Sequence, residues 1–443
     1  MFFKNWWFFR KKNNAKKSDY QHFGFSEKTY TPVGQLAIGM YIVELDRPWL
    51  ETPFLFQGFE LKSEAQIQSV KNFCNYVYID KSKGKKHILV DNRPKAPAKI
   101  LNNLDINQPP PKKTGTFEQE ILRADNIYTT TENVIENFMK TASQEGEVDG
   151  FIARKAVTEC VNSILHSPDA MLWLTQLKKK DQYTMQHSLN VCVLSVILGR
   201  YLNLSKENMI NLGLSGMLHD IGKMRLPLKL LHHRGQLEED EIALMKTHTT
   251  LGYELLKASN CIDMCVAEVA LTHHERLDGS GYPRGLKLGS ISDFAKIVSI
   301  ADAYDSMTSD KPNQKSQNHL EAIHAMMNKA GTYWDKKLVV KFIESLGVYP
   351  PGCLVVMTNG AIGIVIEVNE GMKLRPKVIL LLDEEKHPVP EQLIDLSQLV
   401  CDKKGQVLTV KTIVKAEEWN IDVSKYYRQG LIQKGFSVKQ KQG

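Results

Sequence analysis

Apolar positions along the chain change their period twice, and those changes divide it into regions. Before residue 80 the spacing alternates in short runs. Met40-Tyr41-Ile42-Val43-Glu44-Leu45 and Val77-Tyr78-Ile79-Asp80 read as strands, with a helix over Glu64–Phe73 capped by Ser63 between them. From Phe117 to about residue 345 apolar side chains recur every three or four residues, which predicts a nearly all-helical region. Ser205 is placed to cap the helix that ends near Leu218. After Tyr349-Pro350-Pro351-Gly352 the period returns to that of strands, at Val355–Met357, Ile362–Ile366 and Val378–Leu382. The fold class is therefore mainly α, with a small α+β domain at the N-terminus and a small β subdomain near the C-terminus.

The resulting division is a basic, aromatic tail over 1–26, the α+β domain over 27–80 and a Lys- and Pro-rich linker over 81–116. The helical domain follows over 117–350, the β subdomain over 351–415, and a basic tail, mobile from Asp422 onward, over 416–443. There is no internal repeat, and 443 residues suit two or three domains. Apolar residues make up 42% and charged residues 24%, as in a soluble globular protein. No run of eighteen apolar residues predicts a transmembrane helix. The seven cysteines are scattered, and the close pair Cys261 and Cys265 lies in an apolar helical stretch. They read as reduced core thiols of a cytoplasmic protein rather than a disulfide or zinc site.

Net charge is +7, but residues 1–18, 81–113 and 424–443 together carry +18 and the remainder carries −11. An acidic folded bulk argues against a nucleic-acid-binding core and suits carboxylates gathered around cations. Residues 1–12 intersperse six aromatics with bases and lack a signal peptide's apolar stretch, which suits weak contact with an anionic membrane surface.

The chemistry lies in the helical region. His187, His219, Asp220, His248, His273, His274 and Asp302 sit on otherwise apolar helical stretches, five helices in all. Burying so many titratable groups without partners would cost several kcal/mol each, a cost that a bound metal cluster offsets. Neutral imidazoles suit divalent transition metals, and Asp220, with two oxygens, is the natural bridge between two cations. Two cations about 3.5–4 Å apart clamp a phosphodiester and acidify a shared water, whose hydroxide attacks phosphorus. Lys223, one turn past Asp220, is positioned to neutralise a phosphate oxygen. Gly281-Tyr282-Pro283 forms a turn in which Gly281 allows close backbone approach, Pro283 stiffens the chain and Tyr282 can stack on a purine. His22, His87, His232, His233, His319, His324 and His387 lie in polar contexts and are expected at the surface.

The order His187 … His219-Asp220-Ile221-Gly222-Lys223 … His248 … His273-His274-Glu275-Arg276 … Asp278-Gly279-Ser280-Gly281-Tyr282-Pro283 … Asp302 resembles the HD-GYP family of bacterial cyclic di-GMP phosphodiesterases, over roughly residues 150–350. Residues 30–80 look like the small domain of no agreed function that often precedes it. The resemblance implies an HD-superfamily helical phosphohydrolase bundle that opens cyclic di-GMP to pGpG, or onward to GMP. It implies two metals, iron or manganese: one held by His187, His219, Asp220 and Asp302, the other by Asp220, His248, His273 and His274. It also implies contacts of the Gly-Tyr-Pro loop with GGDEF-type cyclases. Two departures stand out. Where some members place a metal-binding Glu, this chain has Tyr183, so two metals are expected rather than three. Where members carry an Arg-Pro-Tyr-Arg-like run, this chain has Lys311-Pro312-Asn313-Gln314, which replaces a bidentate guanidinium with a point charge. Lys311 is expected to steady phosphate beside Lys223, with a grip on phosphate or guanine that is weaker or tuned to another cyclic dinucleotide. Two further readings are a non-catalytic nucleotide receptor or cyclase adaptor, which the intact ligand set disfavours, and a hydrolase of another cyclic dinucleotide such as cyclic GMP-AMP.

Overall fold

A computed structural model of the chain describes residues 28–47, 54, 58–80, 100–101, 108–144, 148–177, 183–231, 233, 235–259, 261–310, 316–369, 371–398, 400–402, 404–419 and 421–428. Residues 1–12, Lys311–Gln314, His22, His87 and His232 lie outside these. Two compact units divide the chain at Ile88.

The first unit is a four-stranded antiparallel sheet with one helix. Its elements are β1 (Lys28–Pro32), β2 (Tyr41–Leu45), β3 (Phe59–Glu60), α1 (Glu64–Phe73) and β4 (Tyr76–Asp80), in sheet order β1-β4-β2-β3. The cap works as expected: the Ser63 hydroxyl accepts from the Gln66 amide at 3.3 Å. Ile67 and Val70 turn inward from α1 onto Ile42, Leu45, Val77 and Ile79, so one apolar face of the sheet is covered.

The second unit is a helical core with a small sheet. The helices are α2 (Phe117–Gln144), α3 (Gly150–His166), α4 (Pro168–Leu174), α5 (Tyr183–Tyr201), α6 (Lys206–Leu218), α7 (Leu228–Leu231), α8 (Glu239–Lys246), α9 (His248–Ala258), α10 (Met264–Thr272), α11 (Asp293–Thr308), α12 (His319–Lys329) and α13 (Lys336–Leu346). Ser205 caps α6 by accepting from the Asn208 amide. α5 and α6 are buried almost all round, as in the centre of a bundle. Strands β5 (Leu354–Met357), β6 (Ile362–Glu367), β7 (Lys377–Leu382), β8 (Pro388–Asp395) and β9 (Val410–Val414) follow, antiparallel in the order β8-β7-β6-β5-β9. Ile362, Ile364, Ile366 and Ile379 face the helices, while Val355, Val365 and Val378 form a separate core on the other side. Among the described residues no helix is long and apolar enough to cross a membrane.

Three expectations are corrected. The region after Asp422 is not simply a mobile tail: α14 (Val423–Arg428) packs Tyr426 and Tyr427 onto the helical core, with Tyr427 5.1 Å from the Trp173 ring. The end of the expected linker is likewise fastened down. Thr114 and Gly115 donate their amides to the His166 carbonyl, and Lys113 pairs with buried Asp169. His319 is buried rather than exposed, because its ring nitrogens are satisfied by the Tyr304 hydroxyl at 2.8 Å and the Gly347 carbonyl at 3.1 Å. His233, His324 and His387 are exposed, as expected.

Candidate metal centre

The seven predicted ligands converge. Asp220, His248, His273 and His274 form one group and His187, His219 and Asp302 another, with ligating atoms in each group within 4.8 Å of one another. Helix ends supply most of them. His219 follows the last turn of α6, His248 follows α8 and opens α9, and His273 follows α10. The last carbonyls of a helix lack intrahelical donors, and each imidazole uses one three residues back. Nδ1 of His219, His248 and His273 lies 2.8, 2.7 and 3.0 Å from the carbonyls of Gly216, Met245 and Ala270. A carbonyl only accepts, so each Nδ1 carries the proton and each Nε2 presents a lone pair to the site.

Asp220 lies between the two groups, buried, with its oxygens facing opposite ways. Oδ2 is 3.3 Å from His219 Nε2 and 3.7 Å from His187 Nε2. Oδ1 is 3.3 Å from His248 Nε2 and 3.8 Å from His273 Nε2. Asp302 Oδ1 lies 3.1 Å from His187 Nε2. Lys223 reaches back from the 3-10 turn Ile221–Arg225 and donates to Asp220 Oδ2 at 2.5 Å.

The electrostatics follow from burial against charge. Burial opposes the Asp220 charge, but the Lys223 ammonium favours it, and the carboxyl is held well below the usual range. Asp302 is held low in the same way, chiefly by His187 against the cost of burial. Burial pushes His248 down, His273 well down and His274 to about 3, so these three rings are neutral near pH 7. His187 behaves differently. Burial would lower it, yet Asp302 and Asp305 raise it to about 9. Among the described residues His219 Nε2 and Asp220 Oδ1 are buried without a hydrogen bond. Such orphaned atoms are costly in a dry interior, and a cation on each side of Asp220, one facing His219 Nε2 and one facing Oδ1, would satisfy both, so the donor set fits divalent metals.

The Gly-Tyr-Pro loop forms one wall. Tyr282 stacks on His274, with ring centroids 4.7 Å apart, and Lys246 lies 5.3 Å from the tyrosine centroid. A Cβ at Gly281 would overlap the backbone of His274, Glu275 and Arg276, so only glycine permits this approach. Pro283 is exposed and follows a cis peptide bond.

Sequence reasoning missed several supporting residues. Buried Glu275 accepts from the amides of Arg284 and Leu286 at 2.7 and 2.8 Å and so fastens the loop to the ligand-bearing segment. Asp305 accepts from His187 Nδ1 at 2.8 Å and from Asn190 Nδ2 at 2.8 Å, while the Tyr128 hydroxyl donates to Asn190 Oδ1 at 2.7 Å. The spacing of Asp302 and Asp305, three apart on one helix, was the available signal.

A helical bundle with paired histidines and a His-Asp step at its centre defines an HD-domain protein, and residues 172–338 match the HD domain. Residues 29–150 match a domain of unknown function, DUF3391, and residues 354–400 match the KOW domain associated with HD domains. The chain is 34% identical over 394 residues to a cyclic di-GMP phosphodiesterase of Pseudomonas aeruginosa, covering 88% of this chain and 92% of that protein. It is 37% identical over 166 residues to a cyclic di-GMP phosphodiesterase of Thermotoga maritima, covering 37% of this chain and 45% of that protein. A 3'3'-cGAMP-specific phosphodiesterase of Vibrio cholerae is also 37% identical, over 180 residues and 40% of each chain. The chain belongs to the HD-GYP family.

Proposed function

We propose that the chain is a metal-dependent phosphodiesterase that hydrolyses cyclic di-GMP to linear pGpG, with further cleavage to GMP as an extension of the same chemistry. The observation that carries the reading is Asp220, whose two oxygens face two separate sets of imidazoles. That arrangement suits one carboxylate shared by two cations. The similarity to cyclic di-GMP phosphodiesterases over most of the chain supports the substrate.

His187, His219, Asp220 and Asp302 would hold one metal, and Asp220, His248, His273 and His274 the other; the nitrogen and oxygen donors suit several divalent transition metals, and the family resemblance implies iron or manganese among them. Bound there, the pair supplies Lewis-acid stabilisation of phosphoryl oxygens and acidifies water toward neutrality. Lys223 tempers the charge of Asp220 and is placed beside it to serve a phosphate. Tyr282 would stack on a guanine, and Gly281 and Pro283 shape that contact. Lys311 is assigned a phosphate contact from the sequence alone. The Tyr183 position leaves two metals rather than three.

The remaining assignments rest on sequence: a cytoplasmic location, weak contact of residues 1–12 with anionic lipid, GGDEF-type partners at the exposed end of the loop, and the six-part domain division. A second substrate, 3'3'-cGAMP, is favoured by the Vibrio cholerae relative. Turnover of both dinucleotides by protein purified without oxygen and reloaded with iron or manganese tests the proposal. Faster kcat/KM for cyclic di-GMP supports it, and faster kcat/KM for 3'3'-cGAMP reverses the substrate order.

A further inference from the structure

His187 is held differently from His219, His248 and His273. Those three follow helix ends and give Nδ1 to backbone carbonyls. His187 lies within α5, where the preceding carbonyls are engaged in the helix, and its Nδ1 instead meets a carboxylate, Asp305 Oδ2. The carboxylate is itself fixed. Asn190, one turn along α5, donates to Asp305 Oδ1, and Tyr128 on α2 donates to Asn190. All four side chains are buried. Burial and the charge of Asp305 hold the Tyr128 phenol well above its ordinary value, so it remains a donor. Every proton in the relay points toward Asp305.

We infer that Asp305, backed by Asn190 and Tyr128, is a positioning residue that makes the two metal positions unequal by strengthening His187 as a ligand at one of them. A carboxylate behind an imidazole raises its basicity more than a neutral carbonyl does. The His187 position also has two carboxylates near it, Asp302 and the shared Asp220, whereas the other has three imidazoles and only the shared one. The His187 position is thus the more anionic and the harder, and the relay acts on it alone. This rests on the metal-centre reading proposed above.

The test is manganese binding by the full chain, measured as equivalents retained against graded chelator, without reference to turnover. Asp305→Asn keeps an acceptor for the Nδ1 proton and removes the charge. It is expected to weaken one equivalent about 10–100-fold and leave the other unchanged. Tyr128→Phe, two links away, is expected to shift the same equivalent by a smaller factor. In a His187→Ala background Asp305→Asn is expected to change neither metal retention nor the melting temperature further. Both equivalents weakening in parallel, neither weakening, or full additivity with His187→Ala would overturn the inference while leaving the metal centre standing. A wild-type chain that retains no manganese would overturn the metal-centre reading and this inference with it.

Discussion

Gly222 and Gly252 meet backbone to backbone. A Cβ added at Gly222 would overlap the Gly252 amide and the carbonyl oxygen of His248. The contact presses the 3-10 turn that follows Asp220 against α9, and so sets the separation between Asp220 and His248. Gly222→Ala must therefore move one ligand away from the other. It is expected to cost about 1–3 kcal/mol by overpacking and to lower metal content. Thermal melts with and without manganese check this: the variant should lose most of the stabilisation that metal confers.

His187 links metal binding to pH. Its value is raised to about 9 by Asp302 and Asp305 against burial. In metal-free protein the ring is therefore protonated at pH 7.5, and a metal at Nε2 must displace that proton. Calorimetry in buffers of different ionisation enthalpy should show about one proton released on binding, with affinity rising as pH approaches 9. The metal-free chain should behave conversely. The contribution of His187 to stability is complete below about pH 6.5 and is lost as pH rises through the folded value. Binding without proton release would contradict the assignment.

Glu275 tests the loop. Its two oxygens hold the amides of Arg284 and Leu286, and removing them leaves both donors unmatched. Glu275→Ala is expected to cost about 1–3 kcal/mol and to loosen Tyr282 from His274. Steady-state kinetics should show KM for cyclic di-GMP rising more than kcat falls, since the ligands themselves are untouched.

The N-terminal segment gives a separable prediction. Residues 1–12 carry four bases and six aromatics. Their deletion should reduce co-sedimentation with anionic vesicles and leave turnover of cyclic di-GMP in solution unchanged. Equal vesicle binding with and without the segment would remove the membrane assignment.

The candidate ligands were legible in sequence because metal sites use few residue types and because helical periodicity shows which of them face inward. Ser63 and Ser205 were legible for a similar reason, since capping is local. Asp305, Asn190 and Tyr128 were not, because their relevance depends on how α2, α5 and α11 pack, which no local pattern encodes. Gly252 has no signature until Gly222 is placed against it. His319 was misplaced because its neighbours in sequence are polar while its neighbours in space are Tyr304 and the Gly347 carbonyl. Strands β1, β8 and β9 were missed where prolines or charged residues interrupt the alternation, and pairing with adjacent strands supplies what propensity lacks.

The central claim is that Asp220 joins two metals into one phosphodiesterase centre. The most direct measurement is turnover of cyclic di-GMP, followed by chromatography of the products, for wild type and Asp220→Ala purified without oxygen and reloaded with iron or manganese. Linear pGpG from the wild type, with none from Asp220→Ala and its metal lost, is the predicted result. Tight nucleotide binding without product under either metal, or undiminished turnover by Asp220→Ala, would contradict the account.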